Sequence, residues 1–94
     1  MPRIRTHPGE VLREEFLVPL DLSAARLAAQ IGVPTNRITE IVRERRGVSA
    51  DTAIRLGKRF GTMPQFWTNL QTGYDLSKAE AENDYSRVLA ATAA

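Results

Sequence analysis

The stretch that decides the fold is Ala24-Ala25-Arg26-Leu27-Ala28-Ala29-Gln30-Ile31-Gly32-Val33-Pro34-Thr35-Asn36-Arg37-Ile38-Thr39-Glu40-Ile41-Val42. Leu27, Ala28 and Ile31 share one face of a short helical pattern from Ala24 to Ile31, with Ser23 placed as its N-cap. Gly32-Val33-Pro34 interrupts the pattern, and Ile38, Ile41 and Val42 resume it on a helix from about Pro34 to Arg43. Two short helices crossing steeply through a tight turn need a small residue where they meet, and Ala28 is that residue. Four positions later the turn requires a positive φ, which Gly32 adopts with no Cβ penalty. Buried aliphatics must then fall at Leu27, Ile31 and Val33 on one side and at Ile38 and Ile41 on the other. Every one of these positions is filled, so the segment reads as a helix-turn-helix unit.

The flanks extend the same helical grammar. Upstream, His7-Pro8-Gly9-Glu10 opens a helix: proline's missing N–H costs nothing in a first turn, and Glu10 faces the positive helix end. Leu12, Phe16 and Leu17 follow at helical spacing, and Pro19 stops the run. Downstream, Gly47 ends the stretch after a basic cluster that follows the second motif helix. Ser49 caps a fourth helix whose inner face is Ala53, Leu56, Gly57 and Phe60, and Gly61 ends it. Thr62-Met63-Pro64-Gln65 has the form of a capping box before a fifth helix carrying Met63, Phe66, Trp67, Leu70 and Tyr74 on one side. Gly73 weakens that helix, and the Ala-rich stretch with Tyr85, Val88 and Leu89 either extends it or frays. No window alternates in the manner of a strand. The expectation is an all-α fold: one domain over 1–94, five helices with a C-terminal helical extension, the motif at about 24–43 and a dimerisation helix at about 63–90.

Composition narrows the function. Ninety-four residues fit one domain with a modest core. With no cysteine and a single histidine, His7, there is no disulfide, no thiolate or histidine metal site and no Ser–His–Asp triad; no cofactor is expected, and no enzyme. No apolar run approaches membrane-spanning length, and the start MPRIRTHPGE lacks a signal peptide's apolar stretch, so the expected location is the cytoplasm. Net charge is only +2, yet residues 37–59 hold seven cations against three acids, whereas residues 75–94 hold two against four. A basic middle and an acidic tail suit a surface that faces a polyanion.

In a helix-turn-helix unit the start of the second helix enters the major groove. The outward positions there are Thr35, Asn36, Thr39, Glu40 and Arg43, with Arg37 at the edge. Asn36 suits bidentate pairing with adenine, Glu40 accepts from cytosine, the threonine methyls meet thymine methyls, and Arg43 reads guanine or holds a phosphate. Arg45 and Arg46 follow the helix and are assigned phosphate contacts.

Taken together, the residues resemble the HigA-type antitoxins, the VapI-like branch of the Cro/cI-like (XRE) helix-turn-helix regulators. The marks are His7-Pro8-Gly9-Glu10 with Leu12 and Phe16-Leu17, then Leu27-Ala28, Ile31-Gly32-Val33, Ile38 and Ile41. They continue with Asp51-Thr52-Ala53, Arg55-Leu56 and Phe60-Gly61, and end in the more specific Phe66-Trp67, Asn69-Leu70-Gln71 and Tyr74-Asp75-Leu76. Ala24 stands where many relatives carry glutamine, and Pro34 where a Ser or Thr cap is common. The resemblance implies a homodimer that binds an inverted-repeat operator upstream of its own operon, represses it, and neutralises a HigB-type, RelE-like mRNA-cleaving toxin. Phe66, Trp67, Leu70 and Tyr74 are the candidate dimer residues, because their helix face continues toward Leu76, Tyr85 and Val88 beyond what a small core covers. Two other functions fit the same residues: a solitary XRE-type regulator, and a protein-binding toxin inhibitor that has lost its operator.

Overall fold

The computed structural model describes residues 3–92, and these form helices, turns and irregular chain with no strand. The first helix, α1 (Pro8–Val11), continues without a break into a π-helical turn (Leu12–Leu17). It is capped by His7, whose Nδ1 accepts the Gly9 N–H at 2.8 Å. Helix α2 (Ala24–Ile31) opens on Ser23, whose hydroxyl accepts the Arg26 N–H. It closes on Gly32 in the left-handed region at φ 74°. The next helix, α3 (Thr35–Val42), starts from Pro34, and α4 (Ala50–Phe60) runs from a Ser49 cap to a left-handed Gly61. The last, α5 (Pro64–Glu82), is the longest and passes through Gly73 as one helix.

The core follows the sequence pattern. Leu12, Leu27, Ala28, Ile38, Ile41, Ala53, Leu56 and Trp67 are fully buried, with Leu17, Ile31 and Val48 nearly so. Val33, Phe16, Phe60 and Leu70 pack around them. Each residue assigned to the inside of the motif therefore sits in or against the core. Burial of one such aliphatic side chain contributes roughly 1.5–3 kcal/mol, which is why two helices of eight residues each hold their angle.

One local expectation is met by an unforeseen turn and two are corrected. Helix α3 stops at Val42 with Arg43 as its C-cap, at the expected end, and the chain turns there through a left-handed Glu44 at φ 62°. The Glu44 N–H returns to the Ile41 carbonyl and the Arg45 N–H to the Glu40 carbonyl, so the last carbonyls are satisfied without a glycine. Thr62 builds no capping box: Met63 is the N-cap and makes no side-chain cap. Its neighbour's hydroxyl is occupied elsewhere, since Thr62 Oγ1 accepts the indole N–H of buried Trp67 at 2.9 Å. An unpaired indole N–H inside the protein costs more than an uncapped first turn. Finally, helix α5 ends at Glu82 and does not reach 90. Both the backbone N–H and the side-chain amide of Asn83 bond the Ala79 carbonyl, and Tyr85, Val88 and Leu89 lie exposed with no core to pack against. A few helical turns without tertiary support are marginal in water.

Candidate nucleic-acid interface

Helix α3 has two unlike sides. Ile38 and Ile41 are buried against α2 and α1, while Thr35, Asn36 and Arg43 are exposed and Thr39 and Glu40 half-exposed. Since Gly32 alone can take the left-handed turn without strain, the angle at which α3 leaves α2 is set by that residue. The seven residues expected to place this row outward are thus the ones that do so.

Four further contacts fix α3 and the chain on either side of it, and reading the sequence for periodicity missed all of them. Gly9 of α1 lies against the Ile41 carbonyl so closely that a Cβ at that position would fall on the oxygen. From the π-turn, Arg13 donates through Nη1 to the Val42 carbonyl at 2.6 Å, satisfying the last turn of α3 with a cation at its negative end. From α4, Arg55 donates to the Ile31 carbonyl at 2.7 Å, while its Nε meets Asp51 at 3.0 Å. From α5, Gln71 accepts the Val48 N–H at 2.8 Å and so anchors the loop that follows α3. Only the i, i+4 spacing of Asp51 and Arg55 hinted at any of this in the sequence.

The charged residues of the expected interface divide into two groups. Arg37 is tied to Asp51 at 2.7 Å, and Arg46 to Glu40 at 3.0 Å. The side chains of Arg43 and Arg45 enter no ion pair among the described residues and are exposed. The hydrogen bond from Arg37, joined by the one from Arg55, holds the Asp51 carboxyl below the ordinary carboxylate range. One turn along α4 from Arg55, Arg59 bonds the Gln30 side chain at the end of α2 at 2.7 Å.

The apolar face of α5 separates in the same way. Trp67 has no exposed surface in the folded chain, and Phe16, Phe66 and Thr62 surround it. This corrects its assignment to a dimer surface: a side chain that fills the core has nothing left to offer a second copy. Phe66 is 41% exposed, Leu70 and Tyr74 are half-buried, and Met63 and Leu76 project into solvent. A groove of about 370 Å³ runs between this face and the N-terminal chain, lined by Arg5, Thr6, Phe66, Asn69, Leu70 and Gly73. No helix among the described residues is long and apolar enough to cross a membrane.

Comparison with known proteins places this geometry. A helix-turn-helix family model matches residues 12–67. Virulence-associated protein I of Dichelobacter nodosus is 52% identical over 89 residues, spanning 95% of this chain and 81% of the relative. Among solved structures, the Pseudomonas aeruginosa antitoxin HigA with the higBA promoter superposes with a TM-score of 0.80 at 46% identity, covering 93% of this chain and 100% of that one. The antitoxin GraA in complex with its operator superposes with a TM-score of 0.90 at 44% identity, covering 99% and 97%. The class consists of DNA-binding regulators and not of enzymes. The chain belongs to the HigA-type (VapI-like) antitoxins of the Cro/cI-like (XRE) helix-turn-helix family.

Proposed function

We propose that this chain is an operator-binding antitoxin that acts as a homodimer, represses its own operon and neutralises a HigB-type mRNA-cleaving toxin. The observation that carries the DNA-binding part is the outward row of α3, whose helix is held from the π-turn and α4, and whose preceding turn and following loop are held from α4 and α5, with its polar side chains toward solvent. Rigid support of this kind favours direct readout, since little side-chain and helix freedom remains to be lost on binding. Asn36 pairs with adenine, the methyls of Thr35 and Thr39 meet thymine, and Glu40 uses the oxygen that Arg46 leaves free to accept from cytosine. Arg43 reads guanine or holds a phosphate, and Arg45 and Arg46 grip phosphates where the chain leaves the helix.

The dimer is supported by Phe66, Leu70 and Tyr74 together with the projecting Met63 and Leu76. A two-fold axis there sets the two reading helices about one DNA turn apart, roughly 34 Å, on an inverted repeat. Charge supports the toxin contact, because Glu80, Glu82 and Asp84 form an exposed acidic end complementary to a basic ribonuclease.

The test is fluorescence anisotropy on inverted-repeat duplexes from upstream of the gene, repeated across a salt series. Arg45→Ala weakens binding to every sequence and lowers the slope of log K against log salt by about 0.9. Asn36→Ala relaxes preference at one base pair, a discrimination of about 1–3 kcal/mol. Loss of affinity in both variants with base preference unchanged refutes readout by α3. Co-purification with the product of the adjacent reading frame tests the toxin contact, and its absence alongside operator binding favours a solitary regulator.

A further inference from the structure

A line of polar contacts joins the reading helix to the turn that precedes it by way of one carboxylate. Arg37 donates through Nη1 to Asp51 Oδ2 at 2.7 Å, and Arg55 donates through Nε to the same oxygen at 3.0 Å. Arg55 is itself fixed, since its Nη1 bonds the Ile31 carbonyl at 2.7 Å and reaches the Gly32 carbonyl at 3.4 Å. Asp51 therefore presents its charge at a defined place on the first turn of α4, beside the first turn of α3. Arg37 needs that charge. It is the one cation within α3, it follows Asn36 directly, and a long guanidinium there attracts any phosphate whatever the base sequence.

We propose that Asp51 is a positioning residue for specificity: it holds Arg37 back against α4, so that α3 meets DNA through Thr35, Asn36 and Arg43 without a sequence-blind contact from Arg37. This inference rests on the operator-binding reading. The Asp51 carboxyl lies below the usual range because Arg37, and then Arg55, hydrogen-bonds its charged form, so the restraint persists through the neutral range.

Three variants decide it, each at exposed or half-exposed positions that leave the core intact: Asp51→Asn, Arg37→Gln and the double substitution. Binding to an operator duplex and to a random duplex is measured between roughly 50 and 200 mM salt. Asp51→Asn frees Arg37, steepens the salt slope by about 0.9, loses about 3.5-fold more affinity than the parent over that range, and lowers the ratio of operator to random binding. Arg37→Gln leaves slope and ratio at the parent values, and the double variant matches it, so the single effects do not add. Two results overturn the inference while operator binding stands. One is that Arg37→Gln alone flattens the slope by about 0.9, which makes Arg37 a phosphate contact in the parent complex. The other is that Asp51→Asn weakens binding with slope and ratio unchanged, which makes Asp51 a structural support only. A parent protein that binds neither duplex at any salt refutes the operator-binding reading, and this inference with it.

Discussion

Replacing Gly9 by alanine tests how α3 is held. The site is buried, and a methyl group built there lands on the Ile41 carbonyl oxygen of α3 and comes within 3.0 Å of His7 Nδ1. Two effects oppose each other. Alanine is the better helix former by about 0.5–1 kcal/mol. Overpacking an interior costs typically about 1–3 kcal/mol, occasionally more. The colliding atom is backbone and cannot swing aside like a side-chain tip, so the upper part of that range applies and the collision wins. The net expectation is a loss of about 1–2 kcal/mol. At about 4–8 °C per kcal/mol for a domain of this size, Tm falls by roughly 5–15 °C. Gly73 supplies the control, because a Cβ there meets only the Arg5 guanidinium at an ordinary 3.5 Å. Gly73→Ala keeps the propensity gain alone, about 0.5–1 kcal/mol, and melts a few degrees higher. Thermal unfolding by circular dichroism at matched protein concentration reads both, since any association between copies would make Tm depend on concentration. If Gly9→Ala melts at or above the parent temperature, the close approach of α1 to α3 is not what positions the reading helix.

Two other predictions concern buried polar groups. Burial lowers the His7 pKa from its ordinary 6.5, against an opposing pull from Glu44 and Asp75, and protonation would also destroy the Nδ1 acceptor for Gly9. The unfolded chain then takes up the proton first, so this contribution to stability is complete above about pH 6.5 and declines as pH falls toward the lowered native value. Urea midpoints measured across that window should show the decline, and His7→Asn, a capping residue that does not titrate there, should lose it. Thr62→Val leaves the Trp67 indole N–H without its acceptor and should cost about 1–3 kcal/mol, whereas Thr62→Ser should restore most of it; equal urea midpoints for all three proteins would remove the bond from the account.

Much of this protein is written in short-range pattern. Ser23 and Ser49 are hydroxyl caps, Gly32 and Gly61 occupy left-handed helix ends, and Leu27, Ile31, Ile38 and Ile41 enter the core, all from spacing and residue type alone. The outward row from Thr35 to Arg43 follows from the same periodicity, because a helix that buries one face must expose the other. Periodicity did not reveal that Glu44 turns the chain after α3, or that Thr62 serves Trp67 rather than its own helix. In the first, backbone N–H groups returning to Ile41 and Glu40 close the helix without a glycine; in the second, burial of the Trp67 indole makes its N–H claim the hydroxyl.

The amino-acid order alone determined five helices, a bend at Gly32 and a polar row facing away from the core, since these depend on contacts within about four residues of chain. Tertiary structure decided which charges remain available on that row. Arg37 and Asp51 are 14 residues apart, Arg13 and Val42 29 apart, and Val48 and Gln71 23 apart. No helical period encodes such pairings, because they arise only when packing of the apolar faces brings distant polar groups within hydrogen-bonding reach.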